Sequence, residues 1–357
     1  MKGKNNQLHH FFTAQLMKWN EYDNNRQMPW KFEKDPYKIW LSEIILQQTR
    51  VEQGLAYYNR FILKYPTVKK LANADEPSVF KLWEGLGYYS RCRNLLATAK
   101  TIVEKYDGVF PSNYQDIVKL KGIGPYTAAA IASFAFNLPF AVVDGNVTRI
   151  LARFFGMETP IDTGQGKKAF SELADTLLDR KYPAKFNQAI MDFGATICKP
   201  KSPLCATCPL AKNCFSFKNE MTAFLPVKSK KIIKKERWFY YLIVQYKNYV
   251  LIRKRNEKDI WRDLHEFVLI ETLKKESLQK IYKTTEAKYF SQKDMMVKPC
   301  NILFKQQLTH QVINASFIEM KITEKLPFTG YFWINKKEIK NWAFPKLTND
   351  FLKENNF

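Results

Sequence analysis

Residues 120–134 read LKGIGPYTAAAIASF, and the reading of the fold turns on the Gly122-Ile123-Gly124 step. Two glycines one residue apart allow a tight bend between two helices, with backbone N–H groups that can point outward together. Such a nest ahead of a helix N-terminus binds a phosphate without reading sequence. An ordinary helix–helix turn uses the same residues, so the surroundings must decide. About twenty residues on, VVDGNVTR (residues 142–149) sets Asp144 where a strand-like run ends and a helix begins. There it can cap the helix or serve as a carboxylate held in a fixed direction. The helix it opens carries Val147, Ile150, Leu151 and Phe154 at helical spacing and ends on Gly156.

Further on, residues 197–217 read ICKPKSPLCATCPLAKNCFSF. Cys198, Cys205, Cys208 and Cys214 are separated by six, two and five residues. Disulfides, a zinc site and an iron–sulfur cluster all use such a group. The start, MKGKNNQLHHFF, has no apolar core of the kind a secretory signal needs. The most apolar stretch, YTAAAIASFAFNLPFAVV, is broken at Asn137-Leu138-Pro139 and reads as a buried helix, a turn and a strand-like run, not a membrane span. A soluble, cytoplasmic protein is expected, and there clustered cysteines hold metal more often than they pair. Zinc knuckles favour two close Cys pairs or mixed Cys/His, and no histidine lies nearby.

The 357 residues suggest two domains. The formal charge of +23 is spread over both halves: residues 1–222 hold 30 Lys+Arg against 20 Asp+Glu, and residues 223–357 hold 27 against 14. A polyanionic partner follows, most simply nucleic acid. Twelve of the thirteen glycines precede residue 223, and helical patterns dominate there, as in DPYKIWLSEIILQQTRVEQGLAYYNRFI. The run LPVKSKKIIKKER (residues 225–237) reads as an exposed linker. Then WFYYLIVQYKNYVLIRKR brings aromatic and β-branched runs around a hairpin turn at Lys247-Asn248, and QVINASFIEMKI and GYFWIN continue that character. The division expected is a mostly α-helical domain over 1–222, a linker over 223–236 and an α+β domain over 237–357.

Leu-x-Gly-Ile-Gly, then Val-Asp, then the cysteine group resembles the helix-hairpin-helix DNA glycosylases of the endonuclease III superfamily, whose [4Fe-4S] pattern has this cysteine spacing. The segments RQMPWK, WLSEIILQQTRV, GLGYYSRCRNL, GPYTAAAIASFAF, VDGNVTRILARF and FNQAIMDFGATIC are together similar, in register over residues 20–217, to the A/G-specific adenine DNA glycosylases, the MutY family.

That resemblance implies a base-excision repair enzyme that removes adenine mispaired with 8-oxoguanine or guanine in double-stranded DNA, acting as a monomer. The chemistry needs an acid to protonate a poor leaving group. Glu43 has Ile39, Trp40, Leu46 and Gln47 as its helical neighbours, a setting that raises a carboxyl pKa. By resemblance Glu43 is the acid at adenine N7. Asp144 is the carboxylate that supports the oxocarbenium ion, with or without a transient covalent bond, and Asn146 is its polar neighbour. Tyr126 stands where bifunctional relatives place a Schiff-base lysine, which implies a monofunctional glycosylase. Gln48 and Tyr88 match residues that wedge into the duplex. Arg26, Trp30, Leu46 and Gln188 match the adenine pocket. Lys121, Gly122 and Gly124 form the phosphate-binding hairpin, with Lys121 where relatives commonly have proline. Cys198, Cys205, Cys208 and Cys214 hold the cluster, and Lys199 and Lys201 in its loops face DNA. Cys92 and Cys300 have no assigned role.

The resemblance extends to a Nudix-like C-terminal domain that detects 8-oxoguanine. No Nudix box follows Gly330, the one glycine after residue 222, so hydrolase activity is not expected. QLTHQVINASF resembles the family's Phe-Ser-His recognition loop with Leu308, Thr309 and His310 in its places; threonine keeps the hydroxyl and leucine removes an intercalating ring. DIWRDLHEFVLIE matches the family's Leu-Trp-Glu-Phe-Pro region loosely, with His265 and Val268 replacing Trp and Pro. The rivals are an endonuclease III-like glycosylase/lyase acting on oxidised pyrimidines, which Tyr126 disfavours, and a non-catalytic iron–sulfur DNA-binding protein, which Glu43 and Asp144 together disfavour.

Overall fold

The computed structural model describes residues 2–229, 233–291, 296–299 and 302–355; Cys300 and residues 230–232 of the expected linker lie outside the described residues. The first part of the chain is helical: α1 (Lys2–Tyr22), α2 (Pro36–Leu46), α3 (Val51–Lys64), α4 (Val68–Ala72), α5 (Glu76–Trp83), α6 (Ser90–Tyr106), α7 (Tyr114–Ile117), α8 (Pro125–Phe136), α9 (Gly145–Phe155), α10 (Gly164–Leu177), α11 (Pro183–Thr196) and α12 (Phe215–Lys218). Contacts divide the chain into two compact units, Met1–Asn73 with Asn94–Lys231, and Ala74–Arg93 with Ile232–Phe357.

In the first unit α2 starts where Asp-Pro dictates. The Asp35 side chain accepts from the Tyr37 N–H at 2.9 Å, and Pro36 takes the first helical position. Ile39, Trp40, Leu41, Ile44 and Ile45 are buried, so α2 is a core helix. The long helical run expected here breaks after Leu46, and Gln48 turns the chain with φ 58° before α3. The core joins Phe12, Leu16 and Trp19 of α1 to Ile150, Leu151 and Phe154 of α9 and Phe186 and Phe193 of α11. Each such side chain contributes about 1.5–3 kcal/mol on burial. The apolar face of α9 is the one its spacing specified, and Gly156 ends the helix at φ 69°, where a Cβ would lie 2.6 Å from the Phe215 ring.

Residues 140–143, expected to be strand-like, form no strand. The Val142 N–H is taken by the Asn187 side chain at 3.0 Å, in place of a ladder partner, and α8 is stopped by Asn137 at φ 53°. Part of the expected linker is docked: Leu225 is buried in the first unit's core, and the Val227 carbonyl accepts from the Ile161 N–H at 3.1 Å. No helix among the described residues is long and apolar enough to cross a membrane.

The second unit is built on a mixed sheet of β1 (Lys235–Tyr246), β2 (Tyr249–Lys254), β3 (His265–Glu266), β4 (Val268–Thr272), β5 (Met296–Pro299), β6 (Phe304–Gln307), β7 (Gln311–Lys321) and β8 (Phe332–Asn335), with α13 (Leu278–Ile281), α14 (Thr285–Tyr289) and α15 (Lys346–Glu354). β1 and β7 are parallel neighbours in register from Lys235 with Gln311 to Gln245 with Lys321, and β1 pairs antiparallel with β2 across the Lys247-Asn248 turn. The near-continuous apolar run of β1 follows from burial on both faces. Tyr240, Leu242 and Val244 pack with Ile318 and Met320, whereas Tyr241 stacks on Phe317, which stacks on Phe351 of α15. His265 is a core residue against Trp342 and Phe344, its pKa driven down to about 4 by burial.

Candidate active site

A cavity of about 680 Å³ opens in the first unit between α2, α8, α9 and α11. Glu43 of α2 lines it and is 8% exposed. Burial pushes its carboxyl pKa from 4.5 up to about 7; the Tyr126 hydroxyl, hydrogen-bonded to it, pulls the other way, and the charge of Asp144 adds to the rise. Tyr126, at the start of α8, lines the same cavity, and burial moves its own pKa well above 10.

Asp144 also lines the cavity, as the N-cap of α9. One carboxylate oxygen accepts from the Val147 N–H at 2.7 Å and the other from the Asn146 amide at 2.8 Å. Burial raises its pKa, and these hydrogen bonds and the nearby Arg149 oppose that rise. The two readings of Asp144, cap and directed carboxylate, are therefore one geometry. Asn146 is fixed from behind: its carbonyl accepts from Arg149 Nη2 at 2.8 Å, and the same nitrogen donates to the Gly194 carbonyl at 2.7 Å. A Cβ on Gly194 would sit 2.6 Å from the Asn146 Cβ, so glycine there lets α9 and α11 approach.

Arg26, Trp30, Leu46 and Gln188 line the cavity too, together with Asn146 and Gln48. Trp30 meets Tyr58 edge-on at 5.3 Å. Beneath Arg26 and Gln188 lies a residue that sequence reasoning missed. The fully buried Asp192 accepts from Arg26 Nη1 at 2.8 Å, Gln188 Nε2 at 2.9 Å and Asn24 Nδ2 at 2.9 Å, with Lys31 Nζ at 3.2 Å. The four-residue step from Gln188 to Asp192 puts both on one helix face, the signal that could have found it.

The four cysteines line one cavity of about 30 Å³ with Arg153, Leu204 and Phe217, and no imidazole or carboxylate joins them. Burial pushes the Cys208 thiol up to about 12, and the neighbouring sulfurs add to the rise. Four soft donors in an apolar wall fit an iron–sulfur cluster or zinc, either of which would take them as thiolates. Among the described residues no three His, Cys, Asp or Glu side chains converge as a ready-made metal site. The loop is tied to α9: Arg149 Nε donates to the Cys198 carbonyl at 2.8 Å, and Arg153 donates to the carbonyls of Lys199, Pro200 and Leu225. Lys199 is half-buried and Lys201 exposed.

In the hairpin, Lys121, Gly122 and Gly124 are exposed while Ile123 is buried. Gly122 has φ 78°, and a Cβ there would lie 2.6 Å from Asn94, so the position demands glycine twice over. Gly124 caps α8 with open space in front of it. Gln48 is exposed at the cavity rim in the left-handed region. Within the second unit, Tyr88 (φ 49°) is hydrogen-bonded through its hydroxyl to that of Thr309. Leu308, Thr309 and His310 bridge β6 and β7 and line a cavity of about 570 Å³ with Tyr88 and Trp261. Cys92 is buried in the second unit, with its thiol raised by burial.

Residues 41–175 match the family described as HhH-GPD superfamily base excision DNA repair protein, and residues 239–354 match the NUDIX domain. The adenine DNA glycosylase of Buchnera aphidicola subsp. Baizongia pistaciae is 36% identical over 302 residues, 84% of this chain and 83% of that protein. The one from Buchnera aphidicola subsp. Acyrthosiphon pisum is 30% identical over 96% and 97% of the two chains. The human one is 39% identical over 57% of this chain and 39% of its own length. Among solved structures, a thermostable thymine-DNA glycosylase is similar with a TM-score of 0.56 and 30% identity, over 60% of this chain and 99% of that one. An endonuclease III–DNA complex shares the fold, at TM-score 0.53 and 21% identity over 60% and 97% of the chains. With relatives matched along more than four-fifths of both chains, and two carboxylates converging on one helical cavity, the chain belongs to the adenine DNA glycosylase family of base-excision repair enzymes.

Proposed function

We propose that the chain excises adenine opposite 8-oxoguanine or guanine in double-stranded DNA, as a monofunctional and monomeric glycosylase, with Glu43 and Asp144 carrying the chemistry. The observation that carries this reading is the pair itself: two carboxyls, Glu43 buried and Asp144 half-buried, line one cavity, and Glu43 has its pKa moved to about 7. A carboxyl at that value donates a proton near neutral pH.

Extrusion of the nucleotide places adenine in the cavity. Glu43 gives its proton to N7, and the C1′–N9 bond breaks with its electron pair passing into the purine. Positive charge on the sugar is met by the Asp144 carboxylate, whose direction is set by Val147 N–H and Asn146. Water adds to C1′ and returns a proton to Glu43, leaving free adenine and an abasic site. No lysine amine stands at position 126, so no Schiff base forms there and the strand stays intact.

The four cysteines are assigned to a [4Fe-4S] cluster, which when bound cross-links the loop that presents Lys199 and Lys201 to phosphate. The second unit is assigned to opposite-base reading through Thr309 and His310, with Leu308 where relatives place an intercalating ring, and Gln48 and Tyr88 are assigned to wedging into the duplex. The domain boundaries proposed remain 1–222 and 237–357, although Ala74–Arg93 packs with the second unit.

The test is single-turnover excision from a labelled duplex with one A opposite 8-oxoguanine, before and after alkali. Breaks that need alkali, and vanish in Asp144→Asn, are expected. Breaks before alkali would mean a bifunctional lyase; intact DNA with cluster-loaded protein would leave a non-catalytic DNA-binding protein.

A further inference from the structure

Two aromatic side chains on the rim of the catalytic cavity have no role in the chemistry. Phe32 is 81% exposed and Tyr182 is 49% exposed, and both line that cavity. Their place at the cavity mouth, more than their exposure, sets them apart from other open apolar side chains such as Tyr22 and Phe224. Phe32 also sits at φ 70°, a conformation unfavourable for a bulky residue and retained where surrounding contacts impose it. Those contacts are visible. Lys31 Nζ donates to the Arg26 carbonyl at 2.7 Å, pairs with buried Asp192, and lies 5.5 Å from the Phe32 ring centroid. Lys34 Nζ donates to the Phe134 carbonyl at 3.0 Å. Tyr182 precedes α11 and is held by its backbone N–H on Asp179, with Lys181 Nζ 5.2 Å from its ring centroid.

Each ring thus stands exposed beside a lysine, on a backbone held by its neighbours. The charge of Lys31 is met by Asp192 and that of Glu33 by Lys38, while Lys34 and Lys181 are exposed at the rim. Aromatic plates interleaved with lysine are the means by which proteins hold unpaired nucleotides: bases stack on the rings and phosphates meet the cations. We infer that Phe32 and Tyr182 form a stacking rim that takes the unstacked nucleobases flanking the extruded adenine on the same strand. This rests on the proposed function, because it needs an extruded nucleotide in the cavity.

Binding separates this rim from the chemistry. Titrate a duplex carrying a tetrahydrofuran abasic analogue opposite 8-oxoguanine, and in parallel an undamaged duplex. Phe32→Ala and Tyr182→Ala each raise Kd for the first by roughly 5- to 100-fold, the range that base–aromatic stacking supplies. Phe32→Trp and Tyr182→Phe keep wild-type affinity, and undamaged duplex is bound equally by all. Alanine variants that bind the abasic duplex like wild type, or lose both duplexes alike, overturn the rim. A wild type that releases no adenine from the A:8-oxoguanine duplex defeats the proposed function instead, and the same titration still decides the rim.

Discussion

The Tyr126 hydroxyl is hydrogen-bonded to the Glu43 carboxyl inside the cavity that also holds Asp144. This one contact couples α8, the helix behind the glycine hairpin, to the acid on α2. It also opposes the pKa rise that burial imposes, and so sets where Glu43 titrates.

Glu43→Gln should lower the single-turnover rate by about 10²- to 10⁴-fold, the range expected when a general acid is lost. It should also stabilise the protein at alkaline pH. The folded pKa of about 7 lies above the ordinary 4.5, so the native state holds the extra proton. The stability tied to that proton is complete below pH 4.5 and is lost as pH rises through about 7. Glutamine removes this loss, worth about 3 kcal/mol, an order-of-magnitude figure from the shift. Urea unfolding of both proteins at pH 5 and pH 8 reads it; equal midpoint differences at the two pH values would refute it.

Tyr126→Phe removes the donor and lets the Glu43 pKa rise further. The descending limb of the excision rate against pH should therefore move to higher pH, with the maximum rate changed less than by Glu43→Gln. A limb that stays in place would show that Tyr126 does not tune the acid.

Arg149→Gln breaks the chain from the Cys198 carbonyl through Asn146 to Asp144. Loss of buried, charge-assisted bonds of this kind costs about 3 kcal/mol. Thermal unfolding should shift down and excision should slow together. Asn146→Ala should slow excision while moving the melting temperature much less, because Asn146 serves Asp144 and not the loop.

Asp192→Asn leaves Arg26 and Lys31 without their carboxylate. A drop of about 3–5 kcal/mol in stability is expected from unpairing buried charge. Weaker binding of an adenine-containing substrate analogue should accompany it. Restoring stability with an osmolyte should not restore that binding.

Gly54→Ala should act on the pocket more than on the fold. Its Cβ would approach Leu46 Cδ2 to 2.7 Å, and that flexible side chain can move. Alanine also favours helix by about 1 kcal/mol. Pushed toward the cavity, Leu46 should crowd adenine, weakening substrate binding with an unchanged or higher melting temperature.

Much of this molecule was legible in its residues. The start of α2 at Asp-Pro, the buried face of α9 and its end at Gly156, and the turn at Lys247-Asn248 follow from local chemistry, which a few neighbouring residues determine. Residues 140–143 misled because a run of apolar residues specifies burial, and burial alone does not supply a ladder partner. Asn187, forty-five positions away from Val142, provides the hydrogen bond that a strand would have supplied.

The site divides along the same line. Glu43, Tyr126, Asp144 and the four cysteines were expected from the resemblance, and the structure brings the first three to one cavity and the four sulfurs to another. For Asp192 the step from Gln188 was the one local signal, and its other partners Asn24, Arg26 and Lys31 come from a stretch more than 150 residues earlier. The exposed rings of Phe32 and Tyr182 were invisible, because exposure is a property of what fails to pack against a side chain. Residue identity determined which chemistry was possible; only tertiary packing decided which carboxyl was desolvated to about pKa 7, which was neutralised by cations, and which aromatic rings were left facing solvent.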